Sequence, residues 1–202
     1  MLKLYHAPRT RSVRIIWLLE ELGLPYTLVR VAFKPVPGRL FAQPTPSGKV
    51  PVLEDGEVTM FESGAMVEYI LERYGNGRLA PAPGTPARAA WLQWLHFSES
   101  TAFAPLSVVV WLTRYRDDAA SHPHLVEDAK VRAAIAFEVL EAALGERDYL
   151  LADGFSAADI MMGFTVFAAQ AFGVLDAARF PHLTAYLERL AARPAYQVSM
   201  QA

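Results

Sequence analysis

Residues 2–31 read LKLYHAPRTRSVRIIWLLEELGLPYTLVRV, and the changes of period inside this run decide the architecture of the first part of the chain. Leu2 to Tyr5 is short, apolar and closed by the turn-forming His6-Ala7-Pro8, which predicts a strand. Ser12 then precedes Val13, Ile15, Ile16, Trp17, Leu18, Leu19 and Leu22, a stripe at helical spacing that stops at Gly23 with Pro25 close behind. Tyr26 to Val31 returns to β-forming residues. Strand, helix and strand in that order make a βαβ unit, whose two strands run parallel because the crossover helix carries the chain back to the edge it started from.

Beyond this unit, Pro35, Pro37, Gly38, Pro44, Pro46 and Gly48 break residues 34–48 into a loop with at most a helical turn. Val50 to Leu53, the Asp55-Gly56 turn and Glu57 to Met60 predict a hairpin, since Asp-Gly reaches the positive φ angles of a tight turn. A helix capped by Ser63 follows, apolar at Met66, Val67, Ile70 and Leu71 and ending near Gly75-Asn76-Gly77. The first domain is therefore α/β, ordered βαβ then ββα, over residues 1–78. Residues 79–86 hold three prolines and a glycine and predict an extended linker. Residues 87–202 show no strand pattern. Ala87 to about Arg116, interrupted at Pro105, and Leu125 to about Leu144 are alanine-rich and amphipathic, so this domain is predicted all-helical. Within it Phe155-Ser156-Ala157-Ala158-Asp159-Ile160 combines a capping box with a hydrophobic staple. The helix it opens is apolar on every face through Val174, which places it in the middle of that domain.

Composition narrows the chemistry. With 202 residues, 53% of them hydrophobic and 20% charged, the chain has the apolar material for a compact fold. A formal net charge of -2 offers no basic face to polyphosphate, so nucleic acid is not an expected partner. Cysteine is absent, which rules out disulfides, thiolate metal sites and a cysteine nucleophile; any thiol chemistry must use a thiol from outside. His6, His96, His122, His124 and His182 fall at no metal-binding spacing, and no metal is expected. The N-terminus lacks an apolar signal segment, and the apolar stretch Phe155 to Leu175 is interrupted by Asp159, so a cytoplasmic protein without a membrane span is the expectation. Gly75-Asn76-Gly77-Arg78-Leu79-Ala80 fits a dinucleotide-type string but follows a helix instead of a strand, and Gly48-Lys49 is followed by Val50 where a phosphate loop needs Ser or Thr.

Three segments carry candidate chemistry. Arg9, Arg11 and Arg14 gather at the start of the first helix with no acid before Glu20, which favours a bound anion unless the arginines are solvated or paired elsewhere. Lys49-Val50-Pro51-Val52 puts a proline at the opening of a strand, either as an ordinary edge proline or in a turn that frees the Val50 backbone to pair with an extended peptide. Glu62-Ser63 stands where a strand gives way to a helix. A serine with helix amides suits an anion and Glu62 adds a negative charge, a pair that suits a zwitterion, although capping alone accounts for Ser63.

Taken in order, Ser47-Gly48-Lys49-Val50-Pro51-Val52-Leu53, Phe61-Glu62-Ser63, the proline-rich linker and Phe155-Ser156-Ala157-Ala158-Asp159 resemble the soluble glutathione transferases of bacterial type over nearly the whole chain. The resemblance implies a thioredoxin-like first domain followed by a helical bundle, with a cis peptide before Pro51. It implies that Val50 pairs with the cysteinyl backbone of glutathione, that Glu62 and Ser63 hold its γ-glutamyl amino and carboxylate groups, and that Arg11 and Lys49 approach the same tripeptide. Glutathione is then the co-substrate, ionised by a donor beside its sulfur for attack on small hydrophobic electrophiles, with peroxide reduction, dehalogenation or isomerisation as related reactions. For that donor Thr10 matches best, then Ser12, which also stands at the helix start, then Tyr5. Phe103, Trp111 and Tyr115 are implied on the electrophile side. A homodimer is implied too, with the Met66 helix and the Trp91 to Phe97 region as contributors. The alternative is a glutathione-binding or protein-interaction module of the same fold without turnover.

Overall fold

The computed structural model describes residues 1–36, 39–41, 48–116, 119–145 and 147–202, with the backbone alone at 33–36 and 39–41. The elements in chain order are β1 (Leu2–His6), α1 (Ser12–Leu22), β2 (Tyr26–Arg30), β3 (Phe33–Val36), β4 (Arg39–Phe41), β5 (Val52–Asp55), β6 (Val58–Met60), α2 (Ser63–Tyr74), α3 (Pro86–Phe97), α4 (Ala104–Val110), α5 (Pro123–Leu144), α6 (Ala157–Ala171), α7 (Pro181–Ala191) and α8 (Pro194–Gln201). They fall into two compact units, Met1–Leu79 with Ala191–Ala202, and Ala80–Leu190.

The first unit is built on a four-stranded sheet of order β2-β1-β5-β6, in which β1 runs parallel to β2 and antiparallel to β5. Leu2, Leu4 and His6 are buried while Lys3 and Tyr5 alternate with them on the other face, as the two-residue period of a strand requires. Helix α1 ends at Gly23, whose φ of 65° lets its amide reach the Glu20 carbonyl and the Leu24 amide reach the Leu19 carbonyl.

Residues 34–36 and 39–41 differ from the expected loop. Phe33 pairs with Phe41 and Val36 with Arg39, so β3 and β4 form a small antiparallel hairpin of their own. In a two-stranded sheet both strands are edges, and an edge strand tolerates proline because its outward amides need no partner. Residues 37, 38 and 42–47 of the same expectation, Ser47 among them, lie outside the described residues.

The expected helical domain of residues 87–202 also ends earlier than its sequence suggests, because α8 belongs to the first unit. Ile15 to Leu19 are all buried, and five consecutive buried residues wrap a helix completely, so α1 needs cover on the side away from the sheet. Tyr196 of α8 supplies it, meeting the Trp17 ring edge-on at 4.9 Å between centroids. Arg193 then clamps Glu21 through two bonds of 2.6 and 2.8 Å.

In the second unit α3 and α4 are joined by a π-helical turn at Ser98–Phe103, and a second such turn, Trp111–Tyr115, follows α4. Pro105 falls in the first turn of α4, where a missing amide is harmless, so the chain continues through it. Every residue of α6 from Ala157 to Val166 is buried, which makes α6 the central helix of this unit. Asp159 anchors its start: Oδ2 accepts from the Ser156 amide at 2.8 Å and hydroxyl at 3.0 Å, and Oδ1 from the Leu150 amide at 2.9 Å and the Tyr186 hydroxyl at 3.0 Å. Burial pushes the Asp159 carboxyl above its ordinary range, and the four donors oppose that push. Among the described residues no helix is long and apolar enough to cross a membrane.

Candidate functional site

Register alone brings three loops of the first unit to one end of its sheet. Tyr5 pairs with Val52, so the end of β1 lies beside the beginning of antiparallel β5. Leu53 pairs with Met60, so the end of β6 lies there too. Residues 7–11 after β1, Gly48 to Pro51 before β5 and Phe61-Glu62 before α2 therefore converge. Two contacts tie them together: Ala7 packs against Val50, and Arg14 Nη1 donates to Ser63 Oγ at 3.1 Å. The Val50-Pro51 peptide is cis.

At the start of α1 the three ranked donors separate. The Thr10 hydroxyl is half-buried, donates to the Ala7 carbonyl at 2.7 Å and lies 2.7 Å from Ser12 Oγ. Ser12 is fully buried, with its oxygen 2.8 Å from His6 Nδ1 and 3.3 Å from the Ala7 carbonyl oxygen. It opens α1 without capping it, because its hydroxyl is turned back into the loop. Tyr5 is removed from this corner altogether. It stands on the opposite face of β1 from His6 and donates to Glu54 Oε1 at 2.7 Å, while Lys3 Nζ bonds Glu54 Oε2 at 3.0 Å. The Tyr5 and Lys3 bonds hold the Glu54 carboxyl below its ordinary range.

The three arginines do not form a common patch. Arg9 is exposed at φ 58°, Arg11 is half-exposed, and Arg14 is fully buried and reaches the head of α2. The boundary residue of α2 is Glu62 instead of the expected Ser63. Glu62 sits exposed at φ 75° and ψ 108°, a conformation that costs a residue with a side chain about 1–3 kcal/mol. Ser63 is the first helical residue; it is buried and accepts from Arg14, so its hydroxyl does not cap. Lys49 is exposed and Val50 lies two residues before β5, outside its ladder.

Residues expected to meet an electrophile or a partner divide likewise. Phe103 is a core residue of the second unit, buried and stacked on Phe164 at 6.1 Å. Trp111 is 47% exposed and forms a surface pair with Tyr115, ring centroids 6.0 Å apart. Met66 and Trp91 are fully buried, leaving Gln93 and His96 as the exposed residues of the Trp91 to Phe97 stretch. Two groups escaped the sequence reading, the inward Arg14 and the contact of His6 with Ser12. Their signals were an arginine inside the apolar run Val13 to Leu19 and the continuation of the Leu2, Leu4 alternation to position 6.

Comparison with known proteins puts a family to this geometry. Residues 1–72 match the family described as "Glutathione S-transferase, N-terminal domain" and residues 103–194 match "Glutathione S-transferase, C-terminal domain". Glutathione S-transferase 3 of Zea mays is 33% identical over 211 residues, covering 100% of this chain and 94% of that protein. The chain belongs to the glutathione S-transferase family. Another relative of this chain is the disulfide-bond oxidoreductase YfcG of Escherichia coli, 30% identical over 210 residues and covering 96% of this chain and 92% of that protein. A solved glutathione transferase family member from Pseudomonas fluorescens, with two glutathione bound, superimposes with a TM-score of 0.84 at 25% identity, over 98% of this chain and 92% of that one. The N-terminal glutathione S-transferase match contains all three converging loops.

Proposed function

We propose that this chain binds glutathione across the three converging loops and ionises its thiol for transfer to small hydrophobic electrophiles. The meeting of the Thr10 loop, the Val50-Pro51 segment and the head of α2, joined by the Ala7–Val50 packing and the Arg14–Ser63 bond, carries the reading. The glutathione bound in the Pseudomonas fluorescens relative supports it. In this scheme the Val50 backbone, lying outside the β5 ladder, pairs with the extended cysteinyl residue. Ser63 and the first amides of α2, backed by the buried Arg14 cation, take the γ-glutamyl carboxylate. Glu62, exposed beside them, takes the amino group, and Arg11 and Lys49 complete a positive surround.

A free thiol with a pKa of about 8.5 is only a few per cent ionised at neutral pH. A charge-assisted hydrogen bond from Thr10, at about 1.5–3 kcal/mol, lowers that value by about one to two units. The thiolate then attacks an electrophilic carbon; a sulfur–carbon bond forms and the leaving group departs with its electron pair. Glutathione is the nucleophile, and no side chain of the protein becomes covalently modified. By family resemblance we assign Trp111, exposed, and Tyr115, half-buried, to the apolar electrophile. The family resemblance extends the reading to a homodimer in the cytoplasm.

A second reading is favoured by the name of the Escherichia coli relative. Because this chain has no cysteine, disulfide exchange here would have to run on glutathione thiols alone.

Calorimetric titration with glutathione, paired with the ultraviolet difference spectrum of the bound thiol and turnover of an activated aryl halide, tests these readings together. Thr10→Val is expected to leave the dissociation constant within about twofold and to cut the thiolate fraction at neutral pH about tenfold, since the bond it removes is much stronger to the ion than to the neutral thiol. Absence of binding heat defeats the site. Heat without a thiolate band leaves only a binding module, and turnover of small disulfides in place of the aryl halide favours the second reading.

A further inference from the structure

A file of polar groups runs inward from the Thr10 corner. Ser12 Oγ lies 2.7 Å behind the half-buried Thr10 hydroxyl, and His6 Nδ1 lies 2.8 Å behind Ser12. Among the described residues His6 is the one fully buried histidine. Its carbonyl accepts the Val31 amide at 2.8 Å, so the strand pairing itself sets where the ring begins. The groups that bear on the imidazole are Ser12 from α1, the Arg30 charge from its register partner on β2, and the Ala202 backbone after α8. Burial is the largest influence and pushes the imidazole below its ordinary value, with Arg30 adding to the push and Ala202 opposing it.

Counting protons shows what such a file can do, because each hydroxyl has one to give. When Nδ1 is bare, Ser12 donates to it, Thr10 donates to Ser12 or to the Ala7 carbonyl, and the outward lone pair of Thr10 is ready to accept from a thiol. When Nδ1 carries the ring proton, His6 donates to Ser12. Ser12 then donates to Thr10, 2.7 Å away, and the Thr10 proton is released outward. Thr10 Oγ1 and Ser12 Oγ lie close enough for a proton to sit between them in both arrangements.

We propose that His6 is a positioning residue which, through Ser12, sets whether Thr10 gives or receives a proton at the site and so tips bound glutathione toward thiolate. The inference rests on the reading above, in which Thr10 faces the sulfur. No net proton passes to the ring: the thiol proton leaves to solvent, and the ring's own proton is exchanged between Nε2 and Nδ1.

The test titrates the thiolate absorbance of bound glutathione against pH in the wild type, His6→Leu, His6→Asn, Ser12→Ala and the His6→Leu/Ser12→Ala pair, with the dissociation constant measured alongside. Asn sets an amide where Nδ1 was; Leu sets nothing. His6→Leu and Ser12→Ala are expected to raise the midpoint by about half a unit to one unit, about three- to tenfold less thiolate at neutral pH, with affinity changed less than about twofold. The double variant shifts no further than the larger single, because the groups act in series. His6→Asn keeps the wild-type midpoint. A folded His6→Leu with an unmoved midpoint, or His6→Asn moving as far as His6→Leu, overturns the inference. Should His6→Leu fail to fold, nitrogen NMR shifts of His6 in the wild-type complex decide: Nδ1–H above the midpoint and Nε2–H below it is required, and one tautomer throughout overturns it. A wild type that binds no glutathione defeats the earlier reading, whereas one that ionises it independently of His6 defeats this inference alone.

Discussion

Replacing Asp159 by Ala removes one acceptor group and strands everything that points at it. The Leu150 amide at 2.9 Å, the Ser156 amide at 2.8 Å and the Tyr186 hydroxyl at 3.0 Å are left in a dry interior with nothing to bond. Each orphaned buried donor costs about 1–3 kcal/mol. Against this stands the relief of no longer keeping a carboxylate out of water, the same burial that pushes its pKa up. Breaking a buried charged network by removing one member costs about 3–5 kcal/mol net, a large part of the roughly 5–15 kcal/mol that holds a protein folded. For a chain of this size the melting temperature falls by about 2–4 °C per kcal/mol, so a drop of about 6–20 °C is expected. Tyr186→Phe withdraws a single donor and leaves the carboxylate the other three, for a loss of about 1 kcal/mol. Ser156→Ala is expected to cost about 0.5–2 kcal/mol, the range for a lost helix cap. Urea unfolding followed by circular dichroism gives the order without relying on reversible melting. Asp159→Ala within about 1 kcal/mol of the wild type, or less damaging than Tyr186→Phe, would refute the reasoning, since it would mean that water or a rearranged loop already satisfies these donors.

Ser63→Ala takes away both the acceptor for Arg14 Nη1 and the hydroxyl assigned to the γ-glutamyl carboxylate; calorimetry is expected to show glutathione bound about tenfold or more weakly, and unchanged affinity would remove Ser63 from the site. Asp55 is expected to make stability pH-dependent. Bonds from Tyr74 at 2.5 Å and Tyr69 at 2.9 Å, together with Arg73, hold its carboxyl below the ordinary range despite burial. A depressed folded-state value means that its contribution is present above the unfolded value of about 3.9 and is lost as pH falls through it toward the folded one. Asp55→Asn is therefore less stable than the wild type at pH about 6, and the gap measured by urea unfolding closes as pH falls below about 4. A gap that ignores pH would count against that cluster.

What the sequence reveals follows the range of the interaction concerned. The α1 stripe, the Asp55-Gly56 hairpin and the Ser156 to Asp159 capping box are legible because each is written in neighbouring residues. The β3–β4 hairpin is not, since proline density argues against strands until both strands are known to be edges. The docking of Tyr196 on Trp17 is a contact across the length of the chain, and nothing in either local pattern names the other. At the site the three loops are legible as motifs, while the fate of single side chains is not. Sequence ranks Thr10 ahead of Ser12 only by resemblance, and it is the buried His6 behind Ser12 that shows which of the two faces inward. Arg14 and Arg9 carry the same charge in the same cluster, yet the helical turn between them sends one to Ser63 and the other to solvent.

Because α8 completes the first unit, that unit is assembled from two stretches of chain with the whole of Ala80–Leu190 between them. During translation the ribosome must finish every one of those intervening residues before the cover for Trp17 exists. Throughout that interval a large aromatic and its aliphatic neighbours on α1 lie open on the nascent polypeptide, a surface of the kind that chaperones bind and that drives aggregation. Any product that stops short of residue 191 lacks Tyr196 and with it this cover for Trp17.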